Sequence, residues 1–229
     1  FKIPEATVGA HYLWVRDTET GDTANIGFNV NSYIDTSASS GLEGDKIDVD
    51  IYGFPDETDV AIALVDLGLT TTNVVGEGVG STGATGTDFD FELDNTLLLP
   101  GSLAVMDTVV TWTDNGDGTL SSASGDGTID YLTGEVTLEY AAAPGVLAVT
   151  ADYDYFENTQ DQTYVFTSGV ETDDFGTAFK RCTIPDEATE MGYGDYLFLA
   201  WDGEGNVDTE EFSIGAVITL DIDEGPVGA

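Results

Sequence analysis

Leu147-Ala148-Val149-Thr150-Ala151-Asp152-Tyr153-Asp154-Tyr155 alternates in side-chain character along its length. Successive side chains of a strand point to opposite faces, so Leu147, Val149, Ala151, Tyr153 and Tyr155 share one side and Ala148, Thr150, Asp152 and Asp154 the other. Ile47, Val49 and Ile51 stand against Asp48 and Asp50 in the same way, and Phe89, Phe91 and Leu93 against Asp88, Asp90 and Glu92. Val136, Leu138 and Tyr140 oppose Thr137 and Glu139, and Ile218, Leu220 and Ile222 oppose Thr219, Asp221 and Asp223. Each segment predicts a strand with one core face and one acidic, wet face, the pattern of antiparallel sheets exposed on one side. Helical periodicity is nearly absent, and residues 185–191 could make one or two turns at most. The fold expected is all-β: two or more antiparallel β-sandwich or immunoglobulin-like modules with very little helix.

Turn signals punctuate these runs at the spacing of a sandwich or barrel. They include Asn115-Gly116-Asp117-Gly118, Ser124-Gly125-Asp126-Gly127, Thr133-Gly134, Pro144-Gly145 and Asp202-Gly203-Glu204-Gly205-Asn206. Gly134 is expected in the left-handed conformation, closing a hairpin between residues 129–131 and 135–140. Residues 74–87 are rich in Gly, Ser and Thr and read as a flexible connection, the natural domain boundary. Residues 1–73 and 157–229 then form outer β domains, expected to pack together. Residues 86–156 form a separate module of about six strands between them.

The chain has 229 residues, of which 44 are acidic and 5 basic, for a formal net charge of −39. Hydrophobic residues make up 41% and aromatics 10%, too many for a disordered acidic tail. Carboxylates at this density repel one another at low salt. At about 1 M salt the Debye length falls to roughly 3 Å and the same surface is screened. The acids are spread along the chain rather than gathered into ligand loops, which points to a halophilic surface, with a calcium-loaded extracellular protein as the rival reading. Lys2, Arg16, Lys46, Lys180 and Arg181 form no basic patch, so direct nucleic-acid binding is not expected. No apolar run is long enough for a membrane-spanning helix. No signal-peptide pattern is legible, and Phe1 need not be the translated start.

Candidate chemistry is sparse. His11 is the sole histidine, and no Gly-x-Ser-x-Gly elbow supplies a nucleophile for it, so a surface strand histidine is expected. Cys182 is the only cysteine, which excludes an internal disulfide and predicts a half-buried strand thiol. Close carboxylate pairs must occur by chance at this acid content, and Trp14, Trp112 and Trp201 all sit in strand-like alternation suggestive of core. Gly76-Glu77-Gly78-Val79-Gly80-Ser81-Thr82-Gly83 lacks the lysine of a phosphate-binding loop. One metal candidate stands out: Asp202, Glu204, Asn206 and Asp208 alternate as oxygen ligands for Ca2+ or another cation. Counted from Asp202, Val207 takes the position of the EF-hand glycine and Ser213 that of its bidentate glutamate, so the full motif fails and a plain hairpin turn is the favoured alternative.

The middle block carries a resemblance. It contains Leu97-Leu98-Leu99-Pro100-Gly101-Ser102-Leu103, then Thr111-Trp112-Thr113-Asp114-Asn115-Gly116-Asp117-Gly118-Thr119-Leu120. Gly127-Thr128-Ile129-Asp130-Tyr131-Leu132-Thr133-Gly134-Glu135-Val136-Thr137-Leu138 follows, and the unit closes on Ala143-Pro144 and Val149-Thr150-Ala151-Asp152-Tyr153-Asp154-Tyr155. In this order the strings resemble a small β-sandwich module of structural proteins of tailed viruses and prophages, found in tail, baseplate, fibre and capsid-decoration components. The resemblance covers residues 86–156 and implies a building block with no site residues to transfer. It implies a non-enzymatic virion component of a halophilic tailed virus, most simply a capsid decoration or tail accessory protein. Its partners would be other capsid or tail proteins and further copies of itself, with the host surface a further candidate. A cell-surface or pilus-like β-sandwich protein of the halophile is the alternative, and a secreted carbohydrate-binding or carbohydrate-active module a third.

The charge makes a direct prediction. Thermal unfolding should occur at a higher temperature in about 3 M than in about 0.1 M KCl, because screening relieves the repulsion among carboxylates. Equal melting temperatures by circular dichroism would refute the halophilic reading.

Overall fold

Residues 60–65 read Val-Ala-Ile-Ala-Leu-Val, and residues 196–201 read Tyr-Leu-Phe-Leu-Ala-Trp. Neither has a polar side to offer water, so each must be covered on both faces. The computed structural model, which describes residues 6–66, 71–157, 163–185 and 192–215, shows how this is done.

The described residues form strands and turns without helix. The first block contributes β1 (Gly9–Arg16), β2 (Thr23–Val30), β3 (Tyr33–Thr36), β4 (Ser40–Gly41), β5 (Lys46–Tyr52) and β6 (Asp59–Asp66). The middle contributes β7 (Thr72–Ser81), β8 (Asp88–Glu92), β9 (Ala104–Met106), β10 (Thr111–Asp114), β11 (Thr119–Ser122), β12 (Gly125–Ile129), β13 (Glu135–Tyr140) and β14 (Ala148–Tyr155). The last block adds β15 (Thr163–Glu171), β16 (Ala178–Thr183), β17 (Gly194–Asp202) and β18 (Val207–Ile214).

Three layers result. A three-stranded sheet, β16-β5-β3, packs on a five-stranded sheet, β15-β6-β17-β18-β4, through Ile47, Val49, Ile51 and Cys182 on one side and Ile62, Leu64, Phe198 and Phe212 on the other. The five-stranded sheet draws β4 and β6 from the first block and β15, β17 and β18 from the last, so the two outer blocks share one sandwich. The opposite face of β6 and β17, carrying Ala61, Ala63, Val65, Leu199 and Trp201, enters the core of the middle block. Alanines at 61 and 63 keep that face shallow, which lets a second layer approach closely.

The middle block is a single eight-stranded sheet in the order β7-β14-β9-β10-β11-β12-β13-β8. Its edge strands return toward each other, and a Cβ added at Gly80 of β7 would lie 3.3 Å from the Phe91 ring of β8. The sheet is thus nearly closed, one form of the expected all-β, antiparallel architecture: a meander from β9 to β13, flanked by β14 and β7 on one side and β8 on the other, curls on its own twist and encloses Trp112, Tyr131, Leu138 and Tyr153. The hairpin turning at Gly134, with φ of 79°, joins β12 to β13 as its sequence suggests.

Residues 72–81 overturn the expectation of a flexible connection over residues 74–87 for the part up to Ser81. They form the ten-residue strand β7, paired antiparallel with β14. Pairing needs only backbone amides and carbonyls, so the scarcity of large side chains does not prevent it. Val74 and Val79 still pack on the core, and the register shifts opposite Thr150 and Tyr153 fall where the glycines give the backbone freedom. The short helix considered at residues 185–191 and the strand at 217–222 lie, apart from Ile184's neighbour Pro185, outside the described residues.

Trp201 joins the two units. It is fully buried, packs with its ring centroid 5.2 Å from that of Phe156, and leaves its indole N–H without an acceptor. Trp201→Ala should therefore cost about 3–5 kcal/mol in urea denaturation, the usual price of a large core truncation. Trp201→Phe should cost clearly less, since it keeps most of the apolar contact and removes the orphaned donor. Equal losses for the two variants would contradict this placement.

Candidate functional site

Acidic side chains are the commonest potential ligands in this chain, so the first question is where their oxygens point. Asp202 ends β17 and is fully buried. Its Oδ1 accepts the backbone N–H groups of Glu204 and Asn206, both at 2.9 Å, and its Oδ2 accepts the Asn206 side-chain amide at 2.7 Å. Burial pushes the Asp202 carboxyl upward, with the Asn206 and Glu204 hydrogen bonds opposing. Asp208 turns elsewhere: its Oδ2 accepts the Ile34 N–H at 2.9 Å, as Glu210 Oε2 accepts that of Thr36 at 2.8 Å. These two acids tie β18 to β3 across the sandwich edge.

Asp202, Glu204, Asn206 and Asp208 are therefore not brought together around a common point. Among the described residues no group of three or more His, Cys, Asp or Glu side chains is arranged to hold a metal ion. The alternation that suggested ligands arises because Asp202 closes the hairpin turn inward while Asp208, beyond it, faces a different strand.

The turn has another use. Residues 202–206 press against the β10–β11 turn and Tyr131 of the nearly closed sheet. The Gly203 carbonyl accepts the Tyr131 N–H at 3.2 Å. A Cβ on Gly205, whose φ is 86°, would fall 2.5 Å from the Gly116 carbonyl oxygen, and one on Gly118 would fall 3.2 Å from the Glu204 Cα. Backbone meets backbone here, which only glycine permits. Both glycine-rich turns singled out in the sequence thus belong to one clasp between the sandwich and the middle sheet.

Asp114 is the centre of the clasp on the other side. Its nearly buried carboxylate accepts N–H groups of Gly101 at 2.7 Å and Gly116 at 2.8 Å, and the Tyr131 hydroxyl at 2.5 Å. Tyr131 in turn accepts the Gly118 N–H at 3.3 Å. Tyr140 donates to Asp107 at 2.8 Å, and Tyr153 donates to Glu77 while accepting from the Asn95 amide at 2.8 Å. Three tyrosine–carboxylate pairs therefore brace the middle sheet: Tyr131 with Asp114 and Tyr140 with Asp107 tie a loop to a strand, and Tyr153 with Glu77 ties β14 to β7. Local sequence pattern does not reveal them because each pair joins residues distant in the chain; the signal it carries is that all three tyrosines, buried in the structure, stand at core positions of the alternation.

A cleft of about 610 Å³ opens beside the clasp. Its carboxylates are Glu57, Asp59, Asp117, Asp130, Glu135 and Glu204. Asp130 is engaged by the N–H groups of Leu132 at 2.8 Å and Thr133 at 3.2 Å, and Asp117 by Thr119. The lining contains no histidine, cysteine or cationic side chain.

The remaining candidates resolve individually. His11 lies on β1, partly buried, with Nε2 2.7 Å from the Thr7 carbonyl oxygen. Cys182 is fully buried rather than half-buried, and burial pushes its thiol up to about 12 against the opposing pull of Lys180. The adjacent Arg181 is held instead by Asp48, Nε to Oδ1 at 2.5 Å. Trp112 and Trp201 are core residues as expected, but Trp14 is 64% exposed, because the ribbon that carries it joins neither hydrophobic core. With two of its three tryptophans buried, the chain offers no tryptophan platform for a sugar beyond Trp14.

Fold and site together define an all-β protein of stacked antiparallel sheets in which a subset of carboxylates, among them Asp114, Asp130, Asp202 and Asp208, anchors turns and strands. No family model matches the chain, and no curated protein or solved structure shows significant similarity to it.

The tyrosine pairs predict an alkaline transition. Burial first, and hydrogen bonding to Glu77 second, push the Tyr153 hydroxyl from 10.0 up to about 12, and burial likewise raises Tyr131 and Tyr140. A hydroxyl whose folded pKa is raised stabilises the fold fully below pH 10 and loses that contribution as pH rises through about 12. Stability to urea should fall across that window, and Tyr153→Phe should flatten part of the slope. An unchanged slope would contradict the pairing.

Proposed function

We propose that this protein is a non-enzymatic structural component of the virion of a halophilic tailed virus, working as a capsid decoration or tail accessory protein. The observation that carries the reading is the fate of the residues that resemble the virion module. Together with β7 they form one nearly closed sheet, whose core is completed by Ala61, Ala63, Val65, Leu199 and Trp201 of β6 and β17 and whose edge meets the rest at the clasp of Asp202 and Asp114. That is the construction of a building block, used whole and mounted on another unit.

Two further features support it. Several of the carboxylates in and around the turns hold turns and strands, as at Asp114, Asp130, Asp202 and Asp208. The charge of −39 suits a particle exposed to concentrated salt, where it keeps the surface hydrated without strong repulsion between neighbours. No helix among the described residues is long and apolar enough to cross a membrane.

The test is direct. Mass spectrometry of virions purified at high salt from a halophilic host should find the protein at many copies per particle. Its absence from virions, with recovery on the host envelope instead, would overturn this reading in favour of a cell-surface protein.

A further inference from the structure

The ribbon β1–β2 carries a face that, among the described residues, neither hydrophobic core covers. Its eight residue pairs run in register from Gly9↔Val30 to Arg16↔Thr23, and the ribbon hydrogen-bonds to no other sheet. Paired residues share a face, so His11 with Phe28, Leu13 with Ile26 and Val15 with Ala24 lie on one side. Ile26 is 67% and Val15 62% exposed. His11 stacks on Phe28 at 5.8 Å, and with its Nε2 met by the Thr7 carbonyl it presents its ring to this side. The other side carries Tyr12, Trp14 and Arg16 among Asn25 and Thr23. A two-stranded ribbon alone is marginal in water, and one side that is apolar apart from His11 makes it more so.

Charge narrows the choice of partner. The chain holds 44 carboxylates in 229 residues, yet the sixteen residues of β1 and β2 hold none. A cationic partner would be drawn to the carboxylates, not to the ribbon that lacks them. Two copies at −39, by contrast, can touch closely only where carboxylates are missing. A flat, uncharged apolar face is also complementary to itself, which a two-fold contact requires.

We propose that the Leu13–Ile26 face of the ribbon packs against the same face of a second copy, making a four-stranded, two-layer joint. This rests on the reading of the protein as a structural component that works through its surfaces. Two strands of eight residues cover roughly 26 Å by 10 Å, so the joint has a footprint of about 500 Å² over both copies. That is well below the roughly 1,200 Å² of a stable interface, so the pairing is weak and becomes visible at high protein concentration and high salt.

Sedimentation velocity of the full chain in about 3 M KCl should show a monomer–dimer equilibrium with Kd on the order of 0.1 mM, shifting to monomer in about 0.1 M KCl. Ile26→Asp and Leu13→Asp should each weaken association at least about tenfold, which corresponds to about 1.4 kcal/mol, while Trp14→Ala on the opposite side leaves it unchanged. Near-ultraviolet circular dichroism from Trp112 and Trp201 checks that the variants are folded. Wild-type protein that stays monomeric near 1 mM in about 3 M KCl, or an Ile26→Asp variant that associates as tightly as wild type, overturns the pairing. A monomer that is nonetheless abundant in virions would overturn the pairing and leave the virion reading intact; a salt-dependent dimer absent from virions would do the reverse.

Discussion

Burial of both faces of β6 and β17 is the constraint on which the rest of the structure depends. Val60, Ile62 and Leu64 face the three-stranded sheet, while Ala61, Ala63 and Val65 face the middle block. Tyr196, Phe198 and Ala200 divide from Leu199 and Trp201 in the same way. Left open on either side, these strands would expose a contiguous apolar sheet to water. The sandwich and the nearly closed sheet therefore stand in one stack, held by a shared middle layer. The glycine clasp at residues 202–206 then fixes how closely the stack can sit at its edge, because any Cβ there would strike backbone.

Acidity takes on two roles in this architecture. Most carboxylates make the surface, where repulsion and screening decide how the protein responds to salt. A smaller set works inside the fold. Asp202 organises its own hairpin, Asp208 and Glu210 receive amides of β3, and Asp114 gathers two turns and Tyr131. A carboxylate accepting several N–H groups is a compact way to satisfy loop donors that no strand can pair. Such acids resemble metal ligands in sequence because both uses favour Asp and Asn near glycine turns.

The ribbon β1–β2 departs from this economy. Among the described residues it is a pair of strands free of carboxylates that joins neither core, and it presents aromatic and aliphatic groups on both sides. In a chain that otherwise covers its surface with charge, that concentration of exposed apolar area has the character of a contact surface.

Period-two alternation determined the strand class of β5, β8, β13 and β14 from sequence alone, because the backbone pleat imposes that period locally and water sorts the two sides. Composition likewise determined the acidic surface and excluded a disulfide within the 229 residues, and Thr133-Gly134 marked its hairpin. Tertiary structure decided what local pattern cannot carry. It made residues 72–81 an edge strand, since the hydrogen-bond partner lies on β14, seventy residues away in order of magnitude. It buried Trp112 and Trp201 and exposed Trp14, although all three alternate alike, because only the first two found a second layer to cover them. It also turned Asp202 and Asp208 to different partners. The reason is common to all three cases: alternation says that a strand has two faces, and only the packing of distant segments says what, if anything, covers each one.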